Sequence, residues 1–205
     1  RGRGLLVGAQ RRTTLPADEV YAALPGDHES VYLSLLKRCE AVLVIAPETD
    51  GILTTLTELA EVEGKRLLGS SSTATAAAGN KAVCSRLFDL AGLPAPETRV
   101  ASFDAAPQVA SRLGCPLVAK PLDGIGSEGV CRLDRISDLP EALALIRQST
   151  TQEQIVLQTL AHGIPASVSL LVAGPRCLPL SLNLQLMDAG IPFQYRGSQV
   201  PFDHP

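Results

Sequence analysis

Residues 115–133 limit the fold more tightly than any other stretch. They read Cys115-Pro116-Leu117-Val118-Ala119-Lys120-Pro121-Leu122-Asp123-Gly124-Ile125-Gly126-Ser127-Glu128-Gly129-Val130-Cys131-Arg132-Leu133. An apolar run ends in a lysine, a glycine-rich turn follows, and a second β-prone run returns at 130–133, which predicts a hairpin. Glycines 124, 126 and 129 permit positive φ and leave backbone N–H groups uncovered, so the tip can lie against a phosphate. Lys120 would stand beside it as a point charge. The spacing also satisfies G-x-G-x-x-G, but the dinucleotide fingerprint opens a helix, and here the next residues are β-prone. No Gly-Lys-Ser/Thr follows, which excludes a P-loop, and the lysine precedes the glycines instead of following them as in protein kinases. Two explanations survive: a phosphate cradle, or an ordinary hairpin, since Asp-Gly is a strong turn signal and Lys-Pro suits an edge strand.

Upstream, residues 5–7 read as a short strand and 11–14 as a loop. Val31, Leu33, Leu35 and Leu36 fit a helix loosely over 27–38, with Asp27 as cap. Residues 41–46 form a continuous apolar run rich in β-branched side chains, which predicts a strand buried on both faces of a parallel sheet. Leu53, Leu56, Leu59 and Ala60 recur at helical spacing over 52–63, with Thr49 or Asp50 as N-cap and Gly64 as stop, and 66–69 return as a strand. That order is a βαβ unit, and the turn after its first strand is a ligand-binding position. Glu48 and Asp50 are therefore candidate substrate residues, with helix capping as the plainer role for Asp50.

The Ser/Thr/Ala-rich residues 70–79 read as a linker and the place for a hinge. Asn80 caps a helix expected to carry Val83, Leu87 and Leu90 inward and to stop at Gly92. Lys81 falls in its first turn, where a cation opposes the macrodipole, so it either faces an anion or is a solvated surface lysine. A helix from Asp104 or Ala105 to Leu113, closed by Gly114, leads into the hairpin. Another starts at Asp138-Leu139-Pro140 and buries Leu143 and Ile146. Residues 155–160 are a strand, 166–172 and 177–187 half-buried antiparallel strands joined by a turn at 173–175, and 190–205 a loop-like tail.

Composition narrows the function classes. With 45% hydrophobic and 19% charged residues the chain is globular, not disordered. A formal net charge of −3 and seven aromatics (3 Tyr plus 4 Phe, no Trp) argue against nucleic acid. Five cysteines, an odd number without a C-x-x-C pair, look like small buried hydrophobes in a reducing compartment. No run approaches the ~18 apolar residues of a membrane span, so a soluble cytoplasmic protein is expected.

One pattern joins these parts: Asn80-Lys81 before Leu-Ala-Gly-Leu-Pro-Ala-Pro, Lys120 with its glycine loop, and Ile155-Val-Leu-Gln158-Thr-Leu160-Ala-His-Gly163 ahead of Ser167-Val168-Ser169. This resembles the ATP-grasp superfamily of carboxylate–amine ligases. The residues Val44-Ile45-Ala46-Pro47-Glu48-Thr49-Asp50-Gly51-Ile52-Leu53, Ser181-Leu182-Asn183-Leu184-Gln185 and Val200-Pro201-Phe202-Asp203-His204-Pro205 are similar, within it, to the branch containing tyramine–glutamate ligase of methanofuran or methylofuran biosynthesis.

The resemblance implies an α/β, ATP-grasp-like fold: an N-terminal βαβ (preATP-grasp) domain over 1–72 and an ATP-grasp domain over 73–205 with antiparallel sheets, in which 115–150 is the glycine-loop subdomain. Lys81 and Lys120 would contact ATP phosphates, Gly124, Ile125, Gly126 and Ser127 would form the lid, and Gln158 and Leu160 would hold the adenine edge. The implied chemistry is phosphorylation of a carboxylate, glutamate in the branch named, followed by attack of an amine such as tyramine on the acyl-phosphate. Its alternative is a nucleotide-binding module of the same fold without catalysis, and a NAD-binding α/β protein is a third reading. Asn183 and Gln185, two apart on one strand face, would line the substrate pocket, and Arg196 is the candidate catalytic cation. A homodimer is left open.

Departures from the family pattern are Asn80 in place of the usual aspartate and Ile164 where a carboxylate commonly meets the ribose. The family's magnesium ligands, an acidic residue and then a Glu-x-Asn pair, have no counterpart before Pro205. They are expected beyond residue 205, and the resemblance covers about the first two-thirds of a family member. Asp203 with Glu128 would be a replacement pair, but such acids are usually surface charges.

Overall fold

The computed structural model describes residues 5–8, 18–24, 26–188 and 190–203, and the chain divides into two compact units, Arg1–Ala78 and Gly79–Pro205. The expected loop at 11–14 lies outside the described residues. No helix among them is long and apolar enough to cross a membrane.

In the first unit β1 (Leu5–Gly8) pairs in parallel with β2 (Glu19–Ala22). There follow α1 (His28–Leu36), β3 (Ala41–Val42), α2 (Ile52–Val62) and β4 (Arg66–Leu67), with β3 parallel to β4. The βαβ order is as expected, but the predicted strand over 41–46 contracts to two residues, because β4 offers only two partners. Leu43 and Ile45, expected inside, are 58% and 88% exposed. Asp27 makes no side-chain cap to α1. Neither Thr49 nor Asp50 caps α2: a 3-10 turn at Thr49–Gly51 holds Asp50 at φ 54° and makes Gly51, at φ 70°, the N-cap. Thr57, only 1% exposed in α2, is satisfied by donating to Leu53 O at 2.7 Å, and Tyr32 OH donates to Leu56 O at 3.0 Å.

Residues 70–79, expected as an irregular linker, form α3 (Ser72–Gly79), and the boundary between the two units falls at its end. Alanine has the highest helix propensity, and the helix start is well capped. Ser71 Oγ accepts from Ala74 N at 3.2 Å, and the Glu61 carboxylate accepts from Ser72 N at 3.1 Å and from its hydroxyl.

The second unit is built on a four-stranded antiparallel sheet in the order β5–β8–β6–β7. These strands are β5 (Thr98–Ser102), β6 (Leu117–Pro121), β7 (Cys131–Leu133) and β8 (Gln154–Thr159), and α4 (Lys81–Leu90), α5 (Ala106–Leu113) and α6 (Leu139–Ser149) accompany them. Strand side chains alternate between faces. Leu117, Ala119, Cys131, Leu133, Ile155 and Leu157 pack with Ala106 and Ala110 of α5 and Leu139, Ala142 and Ile146 of α6, and each of these is at most 2% exposed. The even-numbered Val118, Lys120 and Gln158 face the other way. Removing a large aliphatic side chain from such a core costs about 2–5 kcal/mol. The core face is therefore rigid, and the opposite face inherits its geometry.

A second antiparallel sheet contains β9 (Ala166–Ala173), β10 (Arg176–Asp188) and β11 (Gln194–Gln199), with β10 central. Its hairpin turn is where the sequence places it. The tail, however, holds β11, whose polar QYRGSQ has no alternation and becomes a strand through pairing with β10. Leu170, Leu171, Leu178 and Leu180, near the hairpin turn, are each at least 49% exposed, and the partly buried face of β9 and β10 is polar, made of Ser167, Ser169, Asn183 and Gln185. Val83, Leu87 and Leu90 of α4, expected inside, are 38%, 48% and 81% exposed. The N-terminus of α4 is fixed by Asn80 Oδ1, which accepts from Ala82 N and Val83 N, and by Lys81 N, which donates to Leu122 O at 2.8 Å. All five cysteines are free, Cys131 buried but Cys177 exposed.

Gly129 marks the tightest approach in this unit. At φ 66° it suits glycine, and a methyl there would stand 2.1 Å from Ser149 Oγ at the end of α6. Gly129→Ala should therefore lower stability by about 3 kcal/mol, combining overpacking with a left-handed backbone. Urea unfolding checks this, and Ser149→Ala in the same background should recover part of the loss.

Candidate functional site

The strand register assembles the site. In an antiparallel sheet, residues directly opposite one another share a face. Thr98 of β5 lies opposite Gln158 of β8, and Gln158 opposite Val118 of β6, two residues from Lys120. Lys120 Nζ donates to Gln158 Oε1 at 2.7 Å, Gln158 Nε2 donates to Thr98 Oγ1 at 2.7 Å, and Thr98 Oγ1 donates to Pro96 O at 2.9 Å. Lys81 comes from the first turn of α4. Its ammonium donates to Asp123 O and, at 3.1 Å, to Gly124 O, both at the start of the glycine loop.

Burial pushes the Lys120 ammonium down to about 8, with the nearby Lys81 charge as the second cause and Cys84 acting weakly the other way. The two ammonium groups are thus close enough to repel one another. A multiply charged anion is the ligand that would relieve both effects at once.

The loop between β6 and β7 has four left-handed residues: Gly124 at φ 89°, Gly126 at 64°, Ser127 at 68° and Gly129 at 66°. Ser127 is the one non-glycine among them, an uncommon conformation for a side chain with Cβ. Two internal bonds shape it, Glu128 N to Ile125 O and Val130 N to Ser127 O, each 3.1 Å. Its roots are held by Asp123, 9% exposed, which accepts from Thr150 Oγ1 at 2.8 Å, and by Val130 O, which accepts from Phe193 N at 2.7 Å. At the tip Ile125 is 48% exposed, and Ser127 Oγ approaches Met187 Sδ at 4.0 Å.

The remaining candidates are more dispersed. Leu160 N donates to Pro116 O at 3.2 Å. Asn183, 8% exposed, and Gln185 share a face of β10 and bond to serines: Asn183 Nδ2 to Ser169 Oγ at 3.0 Å and Gln185 Nε2 to Ser167 Oγ at 2.9 Å. Arg196 lies in β11 and pairs with Asp188 at 2.7 Å, both well exposed. Glu48 and Asp50 belong to the first unit, in and beside its 3-10 turn, and Glu48 Oε2 is buried without a hydrogen-bond partner. Among the described residues no group of three or more His, Cys, Asp or Glu is placed to hold a metal ion. Asp203 and Glu128 are both exposed.

Sequence reasoning missed Thr98, Asp123 and Thr150. Their roles arise from pairing across 27 and 60 positions of chain, for which a single sequence carries no local signal.

The second compact unit thus brings two lysines and a glycine loop together beside a four-stranded antiparallel sheet. Residues 78–205 match the family described as the ATP-grasp domain, and residues 8–75 match the pre ATP-grasp 3 domain. The chain belongs to the ATP-grasp family. It is 38% identical over 109 residues to the D-alanine--D-alanine ligase of Gloeobacter violaceus, covering 50% of this chain and 35% of the ligase. Among solved structures it resembles a protein assigned to the ATP-grasp superfamily from Archaeoglobus fulgidus, with 27% identity, TM-score 0.62, and 94% of this chain on 50% of that one. It also shares a fold with the biotin carboxylase domain of Hydrogenobacter thermophilus 2-oxoglutarate carboxylase, solved with MgADP and bicarbonate, at 18% identity and TM-score 0.65, with 82% of this chain on 40% of that one. The chain therefore spans half or less of each of these relatives.

An anion bound by Lys120 favours its ammonium form, so binding takes up a proton wherever the empty site has lost one. Affinity for sulfate, an anion whose own charge does not change over this range, should be flat below about 8 and fall as pH rises through that value, by about tenfold one pH unit above it. Titration calorimetry across pH checks this, and Lys120→Arg should flatten the profile because the guanidinium stays charged.

Proposed function

We propose that this protein is an ATP-dependent ligase that joins a carboxylate to an amine, and that the phosphates of ATP lie between Lys81, Lys120 and the glycine loop. The observation that carries this reading is the repulsion between two half-buried ammonium groups beside a loop of uncovered, left-handed backbone, in a chain of the ATP-grasp family. The residues present suit the polyphosphate part of ATP. Lys81 and Lys120 supply positive charge, backbone N–H groups over 124–127 supply donors without side chains in the way, and Gln158 on β8, with Leu160 just past its end, would hold the adenine edge.

ATP supplies a phosphoryl group that turns a carboxylate into an acyl-phosphate, from which an amine displaces phosphate. The chain's own contribution is positional and electrostatic, the two effects on which phosphoryl transfer chiefly depends. Lys120 arrives pre-positioned by Gln158. Lys81 must exchange the carbonyls of Asp123 and Gly124 for phosphate oxygens, so nucleotide binding and rearrangement of the loop are linked. The Ser127 hydroxyl and the loop N–H groups would then cover the phosphates and exclude water.

Glutamate and tyramine are the proposed substrate pair, supported by the motifs at 44–53, 181–185 and 200–205. D-alanine, in view of the Gloeobacter relative, is the comparison to run beside them. In this reading Asn183 and Gln185 line the substrate side, Glu48 and Asp50 meet the amine or amino acid, and Arg196 faces the transferred phosphate after leaving Asp188.

The test is ADP release by the full-length gene product with magnesium, ATP and each candidate acid. Carboxylate-dependent ADP formation supports the ligase, whereas ATP binding without it would identify a nucleotide-binding module instead. Lys120→Ala should lower the rate by roughly 10²-fold or more, the effect of losing one preorganised charge contact. Unchanged turnover in that variant would sink the assignment.

A further inference from the structure

Thr98 stands at the far end of a short chain of hydrogen bonds that finishes on Lys120, and each link has only one possible polarity. The Thr98 hydroxyl has a single hydrogen, which goes to Pro96 O at 2.9 Å. Its 2.7 Å contact with Gln158 must therefore be donated by Gln158 Nε2. A lysine ammonium only donates, so at the other end Gln158 Oε1 must accept, also at 2.7 Å. Both ends demand the same orientation of an amide whose two ends are otherwise hard to tell apart.

We propose that Thr98 is a positioning residue of the nucleotide site, fixing the Gln158 amide so that its oxygen faces Lys120 and holds the ammonium at one point on the sheet face. This rests on the proposal that Lys120 receives phosphate, a task for which a charge set in place before the ligand arrives is worth most. Without the hydroxyl, Gln158 Nε2 is left without a partner in a half-buried position. The amide then turns to find one, and its oxygen leaves Lys120. The groups acting on Lys120 are Lys81 and Cys84 of α4 and Gln158 of β8. The charged neighbours of Thr98 do not reach it: Glu97 and Arg99 pair with each other in solvent at 2.5 Å.

The experiment is carried out on the full-length protein with Thr98→Val, which keeps the size and β-branching suited to a strand, and Thr98→Ser, which restores the hydroxyl. Without nucleotide, acetylation of Lys120 by acetic anhydride is followed against pH by peptide mass spectrometry. Loss of its acceptor should lower the proton affinity of Lys120, so Thr98→Val should raise labelling at pH 7.5 by about threefold, with Thr98→Ser near wild type. ATP affinity should weaken about tenfold in Thr98→Val and stay within about twofold in Thr98→Ser.

An unchanged Lys120 profile in folded Thr98→Val overturns the inference, as does a Thr98→Ser protein that behaves like the valine variant. Thr98→Cys, whose thiol is a weak acceptor, carries the same test should valine disturb the sheet, and an intermediate profile supports the inference. A shifted labelling profile in a protein whose wild type binds no ATP would support Thr98 as the residue that orients Lys120 while refuting the nucleotide site itself.

Discussion

Two ammonium groups held within range of each other's charge are the constraint on which the second unit depends. Burying one lysine is unfavourable and placing another beside it adds repulsion. The protein offsets this with neutral acceptors: the amide oxygen of Gln158 for Lys120 and the carbonyls of Asp123 and Gly124 for Lys81. Dipoles of this kind moderate a charge without cancelling it.

The sheet makes that arrangement possible by dividing its labour between faces. Ala119 and Leu157 anchor one side against α5 and α6, while Lys120 and Gln158, each one residue further along, emerge on the other. A one-residue slip of β6 against β8 would exchange the two sets and bury an ammonium in the apolar core. The apolar packing is thus what enforces the placement of the charged site.

Much of this was legible in the chain itself where one residue type has one physical job. The Asn80 cap, the hairpin around the glycines, and Gly114 closing α5 follow from φ preferences and orphaned N–H groups that act within a few residues. What escaped notice depends on partners far away in sequence. β11 has a polar sequence and exists because β10 pairs with it. α3 looked like a linker because its serines and threonines resemble one, until Glu61 and Ser71 satisfy its first N–H groups. At 41–46 the apolar content promised a full strand, yet only two residues of β4 face it. In the site, the lysines and glycines announced themselves by type and spacing, whereas Thr98 and Asp123 are ordinary residues whose significance lies in what the register sets beside them.

The roots of the glycine loop are stitched down on both sides. Leu122 O is tied to Lys81 N, Asp123 to Thr150, Val130 O to Phe193 N, and Gly129 is wedged against Ser149. Only residues 124–128 remain between those anchors. Five residues have about 17 Å of contour, so their crest can rise no more than roughly 8 Å above its base. The hairpin cannot swing as a whole: any movement is confined to a short crest, like a small eyelid hinged at fixed corners.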